Sequence, residues 1–211
     1  MKTIIQTILF MILAVGFMHC KTPKPKMSVE NLRTAINNEA TSAEKYAGFA
    51  QAALAEGFDT IAQLFDAVSK SENIHAENHR NALEKLGVIA GAPQIGSFEV
   101  KSTSENLQSS IDGEIHDMQL IYPGFIREAE KEKAPAAGQS FSWALNTEKK
   151  HLNDFRQAAM AISKVNEKGL PFTWLVCPTC GNIYSLIDVK ETCDLCLTRQ
   201  DAFLGYTDTL K

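Results

Sequence analysis

Residues 68–83 read Val-Ser-Lys-Ser-Glu-Asn-Ile-His-Ala-Glu-Asn-His-Arg-Asn-Ala-Leu, and residues 145–155 read Leu-Asn-Thr-Glu-Lys-Lys-His-Leu-Asn-Asp-Phe. Each is an apolar helical stripe broken by Glu-x-x-His: Glu72 and His75 lie between Val68 and Leu83, and Glu148 and His151 between Leu145 and Phe155. Side chains three apart share a helix face, so each pair aims a carboxylate and an imidazole where its apolar neighbours point. Several carboxylates in a core cost many kcal/mol unless cations accompany them. Oxygen and imidazole donors without thiolate suit iron or manganese with open positions better than closed structural zinc.

The flanking sequence supplies two more helices. One runs from Ser28 as cap to about Glu56, with Leu32, Ile36, Ala40, Ala43, Ala47 and Ala50 on its apolar side; Gly57 ends it, and Asp59 starts the helix of the first Glu-x-x-His, stopped by Gly87. A Gly-, Pro- and Ser-rich connection to about Ser102 is long enough to cross a bundle. Thr103 or Ser104 opens a third helix with Leu107, Ile111, Ile115, Met118, Ile121 and Phe125 inward and a kink expected at Pro123. The fourth begins after Pro135 and Gly138 and ends near Gly169-Leu170-Pro171. Four amphipathic helices with one long middle connection are the pattern of a ferritin-like bundle, in a mainly α chain.

The first and third helices carry Glu39 and Glu114, with Asp117 one turn after the latter. Glu39 to Glu72 is 33 residues and Glu114 to Glu148 is 34; His75 to His151 is 76 and Glu39 to Glu114 is 75. The chain reads as two copies of one helical hairpin, each bringing one Glu from its first helix and Glu plus His from its second.

Beyond the bundle, Cys177-Pro-Thr-Cys180-Gly181 is followed by Cys193-Asp-Leu-Cys196, two tight Cys-x-x-Cys pairs expected to form a four-thiolate site. Spacing alone does not separate zinc from iron, and disulfides are the alternative in an oxidising compartment. With 211 residues, 45% hydrophobic and 22% charged, the composition is that of a globular chain with one core and a small satellite. A net charge of −4 without basic clusters excludes a nucleic-acid binder.

Lys2, the apolar run Ile4–Met18 and His19-Cys20, then Lys21 to Lys26 with two prolines, resemble a bacterial lipoprotein signal and its tether. The expectation is a signal peptide over 1–19, a tether over 20–27, lipidation of Cys20 and a membrane-anchored periplasmic location, with plain secretion or an uncleaved anchor as alternatives.

From Ser28 to the C-terminus the chain resembles the rubrerythrin family. The resemblance rests on Glu39 followed seven residues later by Tyr46, on Glu72 and His75, on Glu114 and Asp117 ahead of Ile121-Tyr122-Pro123, on Glu148 and His151, and on the Cys-Pro-x-Cys-Gly knuckle. It implies a di-iron domain over 28–168 and a rubredoxin-like domain over 172–211. It also implies reduction of hydrogen peroxide, electrons relayed from an Fe(Cys)4 centre, an external electron donor and a homodimer. Asp117 stands where the family has a second Glu, and the second knuckle lacks its Pro and Gly. Two rivals are an iron-oxidising or iron-holding protein and a scaffold with zinc in its knuckle. Tyr46 and Tyr122 are either donors to the ligand carboxylates or core rings; His79 is either a support to the site or, more simply, a surface residue. His116 points away from the Glu114 face, and Trp143 and Trp174 read as packing residues.

Overall fold

The computed structural model describes residues 25–163 and 169–206. Two long antiparallel helices, α1 (Lys26–Ala55) and α2 (Asp59–Lys85), turn at Gly57, whose φ of +83° is open to glycine without strain. The connection that follows is extended and exposed, and delivers the chain to α3 (Thr103–His116). Ser102 caps α3 in a reciprocal capping box with Glu105. Ser28, expected as the cap of α1, instead lies inside its first turn, where its N–H and hydroxyl both donate to Glu132 at 2.7 Å.

The expected third helix is not continuous. Beyond α3 the residues Asp117–Ile121 form a π-helical turn, and α4 (Tyr122–Lys131) starts after it, with the Tyr122 N–H donating to the Asp117 carbonyl five residues back. Pro123 thus sits in the first turn of a new helix, where its missing N–H costs nothing, rather than kinking an old one. The π turn also lodges one extra residue. Tyr46 follows Glu39 by seven residues and Tyr122 follows Glu114 by eight. At about 100° per residue a regular helix would swing Tyr122 roughly a quarter-turn off the Glu114 face; the insertion restores the alignment.

The last helix, α5 (Pro135–Ser163), completes the bundle, and the two halves bury separate apolar clusters. Tyr46, Phe49, Phe65 and Phe155 fill one end; Leu32, Leu83, Tyr122 and Phe141 fill the other. The C-terminal module is a small antiparallel sheet of β1 (Trp174–Val176), β2 (Ile183–Ser185) and β3 (Leu204–Tyr206) in the order β2-β1-β3. Trp174, Val176 and Ile183 join the first bundle cluster, so module and bundle share a core.

The lipoprotein signal is a correction. Residues 1–19 and Cys20 lie outside the described residues, and no described helix is long and apolar enough to cross a membrane. The signal-peptide and lipid-anchor assignments have no structural support and are withdrawn.

Candidate metal centres

Helix α1 delivers Glu39, α2 Glu72 and His75, α3 Glu114, and α5 Glu148 and His151; all six side chains are buried. They form two overlapping sets, Glu39–Glu72–His75–Glu148 and Glu72–Glu114–Glu148–His151, whose donor atoms lie within 4.8 Å of one another. Glu72 and Glu148 belong to both, so two bound ions would share them. His75 Nδ1 is 2.9 Å from Glu72, 3.2 Å from Glu148 and 3.8 Å from Glu39. His151 Nδ1 is 2.9 Å from Glu148, 3.6 Å from Glu72 and 3.9 Å from Glu114.

This donor set holds more negative charge than the protein neutralises. Burial, then the Glu72 carboxylate, pushes Glu39 well above the ordinary carboxyl range; burial and Glu148 do the same to Glu114. Against the opposing effect of burial, His151 holds Glu148 well below its usual range and Glu148 in turn raises His151 to about 9. Glu148 Oε1 is buried without a hydrogen-bond partner. Acceptors crowded around two imidazole protons, with both Nδ1 atoms turned inward, fit a pair of divalent cations.

Both tyrosines are donors to the cluster, and each reaches across to the other hairpin. Tyr46 donates to Glu114 Oε1 at 2.8 Å, and Tyr122 donates to Glu39 Oε1. Asp117 is not brought in with them: it lies outside both sets, partly exposed, and its Oδ1 faces His116 Nδ1 at 3.2 Å. Burial, then Glu148, nevertheless raises its carboxyl to about 6.

Two further residues join the site, one that the sequence left between a supporting and a surface role and one that it did not single out. His79 is fully buried, not superficial, with Nδ1 2.6 Å from Ser140 Oγ and Nε2 3.2 Å from the Tyr122 hydroxyl. Tyr122 spends its proton on Glu39, so His79 Nε2–H donates to Tyr122 and Nδ1 accepts from Ser140, a directed chain ending on a ligand carboxylate. Burial, then the charge of His75, drives His79 down to about 3, keeping it neutral. Its position four residues after His75, on the same face, was the available signal. Ser71 is the second: its hydroxyl donates to the Gly181 carbonyl at 2.6 Å and lies 3.1 Å from His151 Nε2. Gly181 has φ +82°, and a Cβ there would fall 2.7 Å from His75 Nε2, so only glycine lets the module approach so closely.

That module carries the four cysteines, all free, with Cys177–Cys196 and Cys180–Cys193 sulfurs 3.4 and 3.5 Å apart. Tetrahedral sulfurs at about 2.3 Å from an ion would be about 3.8 Å apart, so the arrangement fits a four-thiolate site rather than disulfides. Each knuckle closes through a backbone bond at 3.0 Å, Gly181 to Cys177 and Leu197 to Cys193. Leu197 takes φ +63° where the first knuckle has glycine, so the missing Gly is tolerated at the cost of a left-handed leucine.

Fold and centres together define a ferritin-like protein with a dinuclear carboxylate–histidine site and an appended four-cysteine module. The Rubrerythrin family model matches residues 30–159, more than half of the chain. The chain belongs to the rubrerythrin family. It is 29% identical to rubrerythrin-2 of Clostridium acetobutylicum, over 87% of this chain and 98% of that one. Nigerythrin of Nitratidesulfovibrio vulgaris is 31% identical, with 85% and 86% covered. The solved structure of mixed-valence nigerythrin superposes with a TM-score of 0.76 over 85% of this chain and 86% of that one, and the all-ferrous form with 0.77 over 91% of each, at 31% and 29% identity. The carboxylate–histidine cluster is accordingly a candidate di-iron site, and the four cysteines a candidate site for one iron or zinc.

Proposed function

We propose that the protein is a peroxidase that reduces hydrogen peroxide to two waters, consuming two electrons and two protons, with electrons passed inward from the four-cysteine module. The observation that carries this reading is the bridge between the centres: His151 touches Ser71, Ser71 bonds Gly181, and Gly181 is covalently next to Cys180. When bound, a pair of irons supplies the two electrons for O–O cleavage and a single thiolate-held iron replaces them one at a time.

The chain's own residues do the rest. Glu72 and Glu148 hold the two positions together, and the bundle excludes bulk water from them. Tyr46 and Tyr122 fix the terminal carboxylates of Glu114 and Glu39 and keep phenolic protons beside the cluster. A scaffold or iron store has no need of a hydrogen-bonded path between two sites.

Iron-loaded full chain should consume peroxide when given an electron donor, whereas Glu72→Ala or Glu148→Ala should abolish turnover and leave the ferric-thiolate spectrum intact. Full activity in either variant, or ferric iron accumulating in place of peroxide loss, overturns the assignment.

A further inference from the structure

Tyr184 of the small module is buried, and its hydroxyl sits among three polar neighbours. Asn182 Nδ2 donates to it at 2.6 Å and the Asp194 backbone N–H at 2.9 Å. With both acceptor positions taken by groups that can only donate, the single phenolic proton is directed at the remaining neighbour, Cys193 Sγ, 3.3 Å away. The ring is stacked on Phe203, with centroids 5.3 Å apart, and Lys150 Nζ lies 4.1 Å from its centroid. Lys150 does not belong to the module. It projects from α5, immediately before the ligand His151, and is half-buried between the two parts. Burial lowers its pKa, and Asp154 on the bundle with Asp188, Asp194 and Cys193 on the module oppose that shift.

We propose that Tyr184 is the hydrogen-bond donor that tunes the Cys193 thiolate, and that Lys150 is a positioning residue that strengthens this donation only while the module is docked on the bundle. A cation over an aromatic face draws electron density from the ring and makes the phenol a better donor. A hydrogen bond to a thiolate stabilises negative charge on sulfur, and adding an electron to a four-thiolate metal increases that charge, so the bond raises the reduction potential. The higher potential makes the module a better electron acceptor. The electron-relay consequence rests on the function proposed above; the hydrogen bond and its dependence on Lys150 do not.

The test uses the full chain loaded with Co(II), whose near-ultraviolet thiolate-to-metal charge-transfer band comes only from the cysteine site, and in parallel with iron. Tyr184→Phe should move the cobalt band to lower energy and lower the midpoint potential of the ferric-thiolate centre. Lys150→Met should shift both in the same direction by less, and Lys150→Arg should restore them. A Lys150→Met band at the wild-type energy removes the positioning role, and an unmoved band in Tyr184→Phe with four thiolates still bound overturns the whole inference. If Tyr184→Phe does not assemble, the Lys150→Met and Lys150→Arg pair decides alone. Failure of the wild type to form a ferric-thiolate chromophore would sink the proposed function while the cobalt band still reports on the hydrogen bond.

Discussion

Tyr122 and Tyr46 occupy equivalent places in the two hairpins, but their removal should not cost the same. Tyr46→Phe deprives Glu114 Oε1 of one donor and leaves the ring packed among Phe49, Phe65 and Phe155. Tyr122→Phe deprives Glu39 Oε1 of its donor and also orphans the buried His79 Nε2–H. Leaving one buried polar atom without a partner costs about 1–3 kcal/mol, so the expected losses are about 2 kcal/mol for Tyr46→Phe and about 4 kcal/mol for Tyr122→Phe. For a protein of this size these correspond to drops in Tm of about 4–8 °C and about 8–16 °C. Calorimetry of the metal-free proteins measures both, since Tyr→Phe removes no packing volume. The excess is assigned to His79 by a double-mutant cycle: on a His79→Phe background, which places at 79 the residue type found four after His151, Tyr122→Phe should cost no more than Tyr46→Phe does. Equal losses in the wild-type background, or an excess that survives His79→Phe, would refute the directed chain from Ser140 to Glu39.

Metal-free protein should be less stable at pH 9.5 than at pH 6.5. His151 has its folded value raised from the usual 6.5 to about 9, so its contribution is complete below 6.5 and lost as pH rises through about 9; the raised Glu39 and Glu114 act in the same sense, and metal loading should flatten the trend in thermal melts. Gly181→Ala should lose more than about 1 kcal/mol by denaturant titration, through its positive φ and the clash with His75, whereas Leu197→Gly should gain up to about 1 kcal/mol by relieving a left-handed leucine. Deleting the exposed Leu120 should remove the π residue and force Pro123 into a helix interior at about 3 kcal/mol. Deletion combined with Pro123→Ala should recover most of that and still bind two metal ions by calorimetric titration; loss of binding in the combined variant contradicts the register explanation.

The bundle was legible because its two hairpins repeat a pattern that one face of a helix must obey: Glu39, Glu72, His75, Glu114, Glu148 and His151 fall at spacings that bring all six inward, and they meet. The cysteine knuckles were legible for the same reason at shorter range. Asp117 was expected beside Glu114 because three residues separate them; its backbone keeps that α-helical register, its N–H reaching the Gly113 carbonyl, but its carboxylate turns to His116 instead. Periodicity carries no mark of the π turn; the one-residue difference between the Glu39–Tyr46 and Glu114–Tyr122 intervals does, read together with Pro123. Ser71 was missed, and His79 left between two roles, because each depends on a partner distant in sequence, Gly181 for the first and Ser140 and Tyr122 for the second.

The repeat therefore explains the ligands, and its violations explain the direction of the site. Two identical hairpins would surround two equivalent metal positions with equivalent tyrosines. Here Tyr46, packed against Phe65 and Phe155 with Lys45 Nζ over its face, reaches Glu114 through its phenol. The Tyr122 side is backed by His79 and Ser140, which restrain Glu39 through two further hydrogen bonds. The module adds a second asymmetry, since Thr147, which precedes Glu148 as Ser71 precedes Glu72, turns its Oγ1 back to the Trp143 carbonyl at 3.0 Å. Ser71 instead joins His151 to Gly181, and the Gly181 backbone covers His75. One metal position is thus held by a stiff hydrogen-bonded carboxylate and roofed by the module, while the other keeps a histidine wired to it through Ser71. Under the proposed function, the hydrogen-bonded path from Cys180 therefore ends at His151, whereas His75 meets the module by packing, its Nε2 without a hydrogen-bond partner.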